Sequence, residues 1–383
     1  MRRLLTGARL FTGERIVDGH ALVVEDGRIL DLVQGETAGA EVVPLPAGGL
    51  IAPGFIDTQV NGGGGALFND TPTVAAIRTI IAAHRRFGTT GLLPTFITDA
   101  ADKMHAAASA AAEAMRAPAS GVLGLHLEGP FLAKERRGVH DAAFIRAPTP
   151  DDLAYLARLP NEFPGGKVLL SLAPETVPDA AIGALAEAGL LIAGAHSAAS
   201  FARTTDAIRA GLSGFTHLFN AMPPLANREP GIAGAALASP ETWCGIIVDG
   251  IHVHPAVLRL ALATKPRGKL MLVTDAMTPL GTDAQSFTLY GATIHRRDGR
   301  LVTDDGTLAG ADLDMGQAVR NAIGLIGIER EEALRMASLY PAEFLGMADR
   351  RGRLAPGYLA DLTLLDARDQ VLGTWIAGEW QAA

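Results

Sequence analysis

The chain has 383 residues, 48% of them hydrophobic, and a formal net charge of −8 at pH 7. That length accommodates two or three domains, or one large α/β barrel with an appendage, while the acidic balance argues against non-specific nucleic-acid binding, which needs a basic face. A single cysteine, Cys244, excludes an intrachain disulfide and a cysteine-rich metal site and fits a reducing compartment.

The first residues, Met1-Arg2-Arg3-Leu4-Leu5, start like a secretion signal, but Arg9 interrupts the apolar run before a hydrophobic region forms. No stretch of about 20 apolar residues offers a membrane span, so the expectation is a cytoplasmic protein with no membrane partner. Residues 1–52 then show short β-type runs broken by turns, such as Ala21–Val24 and Arg28–Leu30 hinged at Asp26-Gly27. The stretch 352–383 looks similar, with Ala360–Leu365 and Val371–Trp375 as strand candidates. Each end is too short to make its own core, so the two are expected to pair into one small β-sandwich domain.

Between them, over residues 53–351, apolar runs alternate with Ala-rich helical stretches, the signal of parallel βα units. The strand candidates are Gly54–Gln59, Gly91–Ile97, Gly121–Glu128, Lys167–Ala173, Leu190–His196, Gly214–Phe219, Cys244–Asp249 and Lys269–Asp275. Eight such units predict a TIM-like (β/α)8 barrel, with its active site at the C-terminal strand ends. A doubly wound sheet is the alternative, disfavoured because polar residues close nearly every run. After the eighth candidate, Phe287–Ile294 and Arg300–Thr303, around Asp298-Gly299, read as a hairpin insertion.

Glu128, His196 and Asp275 end strand candidates, and His217 sits on another. On a barrel all four converge on one mouth. Two imidazoles and a carboxylate are the ligand types of a catalytic zinc with a position left for water. A carboxylate outside the ligand set can serve as general base. A single strand-end histidine is most often structural, and four such residues on separate strands shift that balance. His126, two residues before Glu128 on the same strand face, reads as a core residue or a support for the ligands. His140, His252 and His254 lie in loops where they could touch a substrate. His20, His84, His105 and His295 read as surface residues. The run Gly62–Gly65 permits close backbone approach to a ligand, without the Lys or Ser of a nucleotide-binding loop.

At these residues the chain resembles the N-acetylglucosamine-6-phosphate deacetylase branch of the amidohydrolase superfamily. The resemblance runs nearly end to end. It rests on Pro53–Asp57, Gly124–Phe131 (Gly-Leu-His-Leu-Glu-Gly-Pro-Phe), Gly194–Ser197, Thr216–Met222 (Thr-His-Leu-Phe-Asn-Ala-Met), Arg228–Gly231, Asp249–His252, Val273–Ala276 and Gly306–Gly310. It implies that Glu128, His196 and His217 bind one divalent metal per subunit, zinc before manganese, iron or cobalt. It implies that Asp275 is the catalytic acid/base and that His140 and His252 contact the sugar, His140 also steadying the carbonyl. Asn220, the backbone of Ala221 and Arg228 would hold the phosphate, and Leu308 would join the substrate contacts. In the family that Arg crosses a subunit interface, which implies a homodimer or higher oligomer with shared sites.

The implied reaction is deacetylation of N-acetyl-D-glucosamine 6-phosphate. The same chemistry on the galacto epimer, a D-aminoacylase-like hydrolase and an inactive metal-free scaffold are the alternatives. Two departures matter. Gln59 and Asn61 stand where many amidohydrolases place a His-x-His pair, which argues against a second metal. Ala311 replaces a usual Ser after Leu308-Ala309-Gly310, so a helix N-cap is expected to be lost there, with Asp312 available to replace it.

Overall fold

The eight parallel strands of the computed structural model, which describes residues 1–35 and 37–383, follow the predicted spacing. They are β1 (Phe55–Val60), β2 (Thr89–Ile97), β3 (Gly124–Glu128), β4 (Lys167–Leu172), β5 (Leu191–Gly194), β6 (Leu212–Phe215), β7 (Trp243–Ile246) and β8 (Leu270–Leu272). Each pairs with its sequence neighbour. A parallel bridge between Val60 and Ala276 carries the exit of β8 back to β1. The backbone N–H of Asp275 donates to the Gln59 carbonyl at 3.0 Å, as does that of Asn61 to the Ala276 carbonyl. The sheet therefore curls into a nearly closed barrel, not an open doubly wound sheet. Every residue of β1, β2 and β3 is buried, as expected where a strand faces side chains inside the barrel and helices outside.

The helix Val74–Arg85 shows why the outer layer forms. Thr73 caps it by accepting from the Ala76 N–H, and Ile77, Ile80, Ile81 and His84 fall on one buried face. Each buried Ile contributes about 1.5–3 kcal/mol of hydrophobic stabilisation. This corrects the expectation for His84: it is buried, with Nε2 bonded to the Gly62 carbonyl at 3.0 Å. The Gly62–Gly65 run also has a different use from the one expected. A Cβ at Gly63 would meet the His84 ring at 3.0 Å, and the Gly64 and Gly65 N–H groups bond the Leu280 and Thr278 carbonyls. The close approach is to neighbouring protein.

Both ends of the chain build a two-sheet sandwich. Arg3–Thr6, Ala21–Glu25, Arg28–Val33 and Glu41–Pro44 form one sheet. Arg9–Phe11, Ile16–Val17 and Leu50–Pro53 join Leu362–Leu365, Val371–Ile376 and Glu379–Ala382 in the other. Leu5, Leu10, Leu22, Ile29, Ile51, Leu362, Leu364 and Trp375 share its core. The segment Leu50–Pro53 pairs with both termini and runs directly into β1, so it ties the sandwich to the barrel. Gly54 lies at that junction because a Cβ there would collide with the Thr90 side chain.

The insertion after β8 is a four-stranded antiparallel sheet, Ser286–Leu289, Ala292–Arg297, Arg300–Val302 and Leu308–Ala311. Its last strand touches the barrel mouth, where the Ala311 N–H donates to the Asp275 carbonyl at 2.9 Å. The expectation of a lost N-cap at Ala311 is wrong, because Ala311 ends a strand and the helix begins later, at Met315. Asp314 caps that helix through the Gln317 N–H, and Asp312 pairs with Arg296 instead.

Candidate functional site

Three barrel residues place their donor atoms together. Oε1 of Glu128, at the end of β3, lies 3.1 Å from His196 Nε2 and 2.9 Å from His217 Nε2, and the two imidazole nitrogens are 3.1 Å apart. All three side chains are buried. The His196 Nδ1–H donates to the Arg136 carbonyl at 2.8 Å, which leaves Nε2 as a lone pair aimed at the cluster. Two ring nitrogens and a carboxylate oxygen converging this closely repel one another unless a cation lies among them. The chemistry of the set therefore fits a divalent ion, and the donor atoms of these three residues all lie within 4.8 Å of one another.

Local backbone geometry turns these side chains inward. His196, His217 and Asp275 lie just beyond the paired residues of β5, β6 and β8, with φ of 45°, 33° and 53°. Phe219 and Ala221 are also left-handed, at 77° and 52°. Such conformations are disfavoured for residues with a Cβ and persist where surrounding structure overrides the cost. Five such residues gather around this one mouth, so strain is concentrated at the donor cluster.

Asp275 is a second carboxylate of the mouth. Its Oδ1 accepts from Asn61 Nδ2 at 2.6 Å and Gln59 Nε2 at 3.0 Å. Burial pushes its pKa up to about 6, helped by the neighbouring charge of Glu128. Glu128, His196, His217, Asp275, His140, Asn220, Ala221, His252 and Leu308 all line one cavity of about 470 Å³, within the usual size of a small-molecule site. His140 is buried with its ring centroid 4.4 Å from that of His196, and burial pushes its pKa down to about 3, so it is neutral at pH 7. Asn220 donates through Nδ2 to the His217 carbonyl at 3.1 Å, which ties its loop to the metal-type cluster.

Three of the residues singled out from the sequence do not line this cavity, and for His126 the buried position is the one its place on the strand predicts. Arg228 is exposed on the loop before the helix Gly231–Ala238 and does not line the cavity. His254 caps the helix Pro255–Thr264, accepting from the Ala256 N–H at 3.2 Å. His126 lies beneath the mouth, burial pushing its pKa down to about 4. It belongs to a buried chain running from Thr95 through its own ring to Ser171 and Thr216, with links of 3.2, 2.7 and 2.6 Å.

Sequence reasoning passed over two residues here. Asp249 accepts from the Ile251 and His252 N–H groups and holds His252 Nδ1 at 2.6 Å, which turns the other ring nitrogen outward from that pair. The Asp-x-x-His spacing was the available signal. Arg136 lines the cavity and supplies the carbonyl that orients His196. A backbone contact of this kind leaves no sequence signal.

Comparison with known proteins agrees with this geometry. Residues 50–381 match the model described as the amidohydrolase family, and residues 4–43 match the NagA composite domain. The chain is 44% identical to an N-acetylgalactosamine-6-phosphate deacetylase of Shewanella sp. (strain ANA-3), with 97% of this chain and 94% of the relative covered. It is 34% identical to an N-acetylglucosamine-6-phosphate deacetylase of Haemophilus influenzae over 100% of both chains. The crystal structure of N-acetylglucosamine-6-phosphate deacetylase from Pasteurella multocida superposes with a TM-score of 0.95 at 35% identity, again covering 100% of both.

Proposed function

The chain belongs to the amidohydrolase family, and from that premise we infer that it hydrolyses the acetamide of N-acetyl-D-glucosamine 6-phosphate to D-glucosamine 6-phosphate and acetate. The observation that carries the reading is the Glu128–His196–His217 cluster with Asp275 beside it in one cavity, on a chain matched end to end by deacetylases of phosphorylated N-acetyl amino sugars. Glu128, His196 and His217 would hold one divalent ion, zinc fitting the ligand set best and manganese, iron or cobalt being chemically acceptable. When bound, such an ion supplies Lewis acidity that polarises the acetamide carbonyl and acidifies the attacking water.

The remaining work falls to side chains of this protein. Asp275 takes the proton of the attacking water at its free Oδ2 and delivers it to the departing amide nitrogen. His140, neutral and packed against His196, steadies the carbonyl oxygen as negative charge develops there. His252, held by Asp249, contacts the sugar, and Leu308 closes the cavity from the insertion. Asn220 and the backbone of Ala221 receive the phosphate. Binding of that remote group orients the acetamide for attack.

Arg228 is exposed and outside the cavity of its own chain. A phosphate role for it requires a second copy, so the functional unit is a homodimer or higher homo-oligomer with shared sites. We place the domain boundaries near residues 53 and 352. Among the described residues no helix is long and apolar enough to cross a membrane. We assign the protein to the cytoplasm on its single, buried cysteine, which fits a reducing compartment.

The galacto epimer is the second reading, favoured by the 44% identical relative. Acetate release from N-acetylglucosamine and N-acetylgalactosamine, each with and without 6-phosphate, tests both. The phosphorylated gluco sugar should give the highest kcat/KM. A higher value on the galacto epimer would replace the first reading with the second, and equal turnover without phosphate would overturn both.

A further inference from the structure

Gln59 and Asn61 stand where a pair of imidazoles would hold a second metal, yet both are buried and both side-chain amides donate to one atom, Oδ1 of Asp275, at 3.0 and 2.6 Å, with Gln59 Nε2 making only longer contacts of 3.4 and 3.5 Å to Glu128. We propose that Gln59 and Asn61 are a positioning pair for Asp275. They occupy Oδ1 and so dedicate Oδ2 to carrying the proton between water and the leaving nitrogen. The inference rests on the reading of Asp275 as that proton carrier.

Three observations support it. First, a carboxylate oxygen has two lone pairs, and two amide donors at 2.6 and 3.0 Å fill both on Oδ1. Second, the donors face the carboxylate at the expense of their own carbonyls. Gln59 Oε1 and Asn61 Oδ1 are buried without a partner. Rotating either amide by half a turn would set a carbonyl oxygen against the carboxylate, so the charge of Asp275 fixes both orientations. Third, the backbone holds the trio in register. Asp57 accepts from the Gln59 N–H at 3.1 Å, from the Thr274 N–H at 3.3 Å and from the Thr274 hydroxyl at 2.5 Å, while the Asp275 N–H bonds the Gln59 carbonyl at 3.0 Å. The exits of β1 and β8 are thus stapled directly beneath the amide–carboxylate contact. The same two residues that deny a second imidazole pair thereby aim the acid/base.

A double-mutant cycle on the metal-loaded enzyme tests this. Gln59→Met and Asn61→Ala each remove one charge-assisted donor. Each should lower kcat roughly 10- to 100-fold, the worth of one such bond, with KM unchanged; Asn61→Ala should also leave metal content unchanged, while Gln59→Met, which loses the Glu128 contacts as well, is compared per bound ion. Placed on an Asp275→Asn background, neither should cost anything further, because there is no carboxylate left to aim. A residue with a merely structural role would lower kcat or stability by the same factor on both backgrounds. If Asp275→Asn is itself near wild type, the acid/base reading fails. If Asp275→Asn is crippled but the amide variants are silent, raise KM alone or multiply fully with it, that reading stands and the positioning role is refuted. Should one amide variant not fold, the other completes the cycle at its own position.

Discussion

Replacing Asp275 by Asn changes one atom, and the structure dictates which way the new amide must face. Asn61 Nδ2 and Gln59 Nε2 both donate to Oδ1. The carbonyl oxygen of the introduced amide is forced into that position and its NH2 group into the place of Oδ2. A group that can only donate then stands where a proton must be accepted. Loss of a general acid/base lowers turnover by about 10²–10⁴-fold, or about 3–5 kcal/mol in the barrier. Asp275 lies outside the Glu128–His196–His217 donor cluster, so the variant should keep its metal and most of its substrate affinity. Acetate release at saturating phosphosugar, read beside elemental analysis of the same sample, gives both quantities. A folded, metal-replete variant with near wild-type kcat refutes the mechanism. A variant that has lost its ion shows that Asp275 is a ligand instead.

Other outcomes follow from the same geometry. Elemental analysis should find one tightly held ion per chain, and Glu128→Gln should remove most of it, since Glu128 is the only carboxylate in the donor set; two tight ions would contradict the assignment. Arg228→Ala should raise KM for the phosphorylated sugar and leave the unphosphorylated one unchanged, and equal losses on both would remove Arg228 from phosphate binding. Asp57 supplies a pH test. Burial pushes its carboxyl from 3.8 up to about 7, against the hydrogen bonds from Thr274 and Gln59. The folded protein therefore holds a proton that the unfolded chain has released, and this contribution to stability is full below about pH 4 and lost as pH rises through about 7. Asp57→Asn mimics the protonated form and should flatten the decline of Tm across that window; parallel Tm profiles for the two proteins would show that Asp57 is already ionised.

The features legible from residue order are those that local physics specifies. Apolar runs separated by helical stretches identify parallel βα units. A polar residue at the end of such a run must lie at the barrel mouth whatever its neighbours are, and for that reason Glu128, His196, His217 and Asp275 could be grouped before any coordinates. Contacts made across the barrel carry no such signal. Periodicity reports which face a residue occupies, not which residue of another strand it meets when the sheet closes. Closure of β8 onto β1 brings Gln59 and Asn61 to Asp275, turning two apparent non-ligands into hydrogen-bond donors. The inward turn of His196, His217 and Asp275 depends on left-handed backbone at the strand exits, which His and Asp tolerate better than most side chains but which only tertiary contacts select at a given position. His84 read as a surface residue because a lone histidine in an Ala-rich helix has no partner in its own segment. Packing against Gly62 and Gly63 supplied one. Local sequence thus determined the barrel and its chemically active rim, while the atom-by-atom assignment of partners at that rim was decided only when strands distant in sequence were closed into one ring.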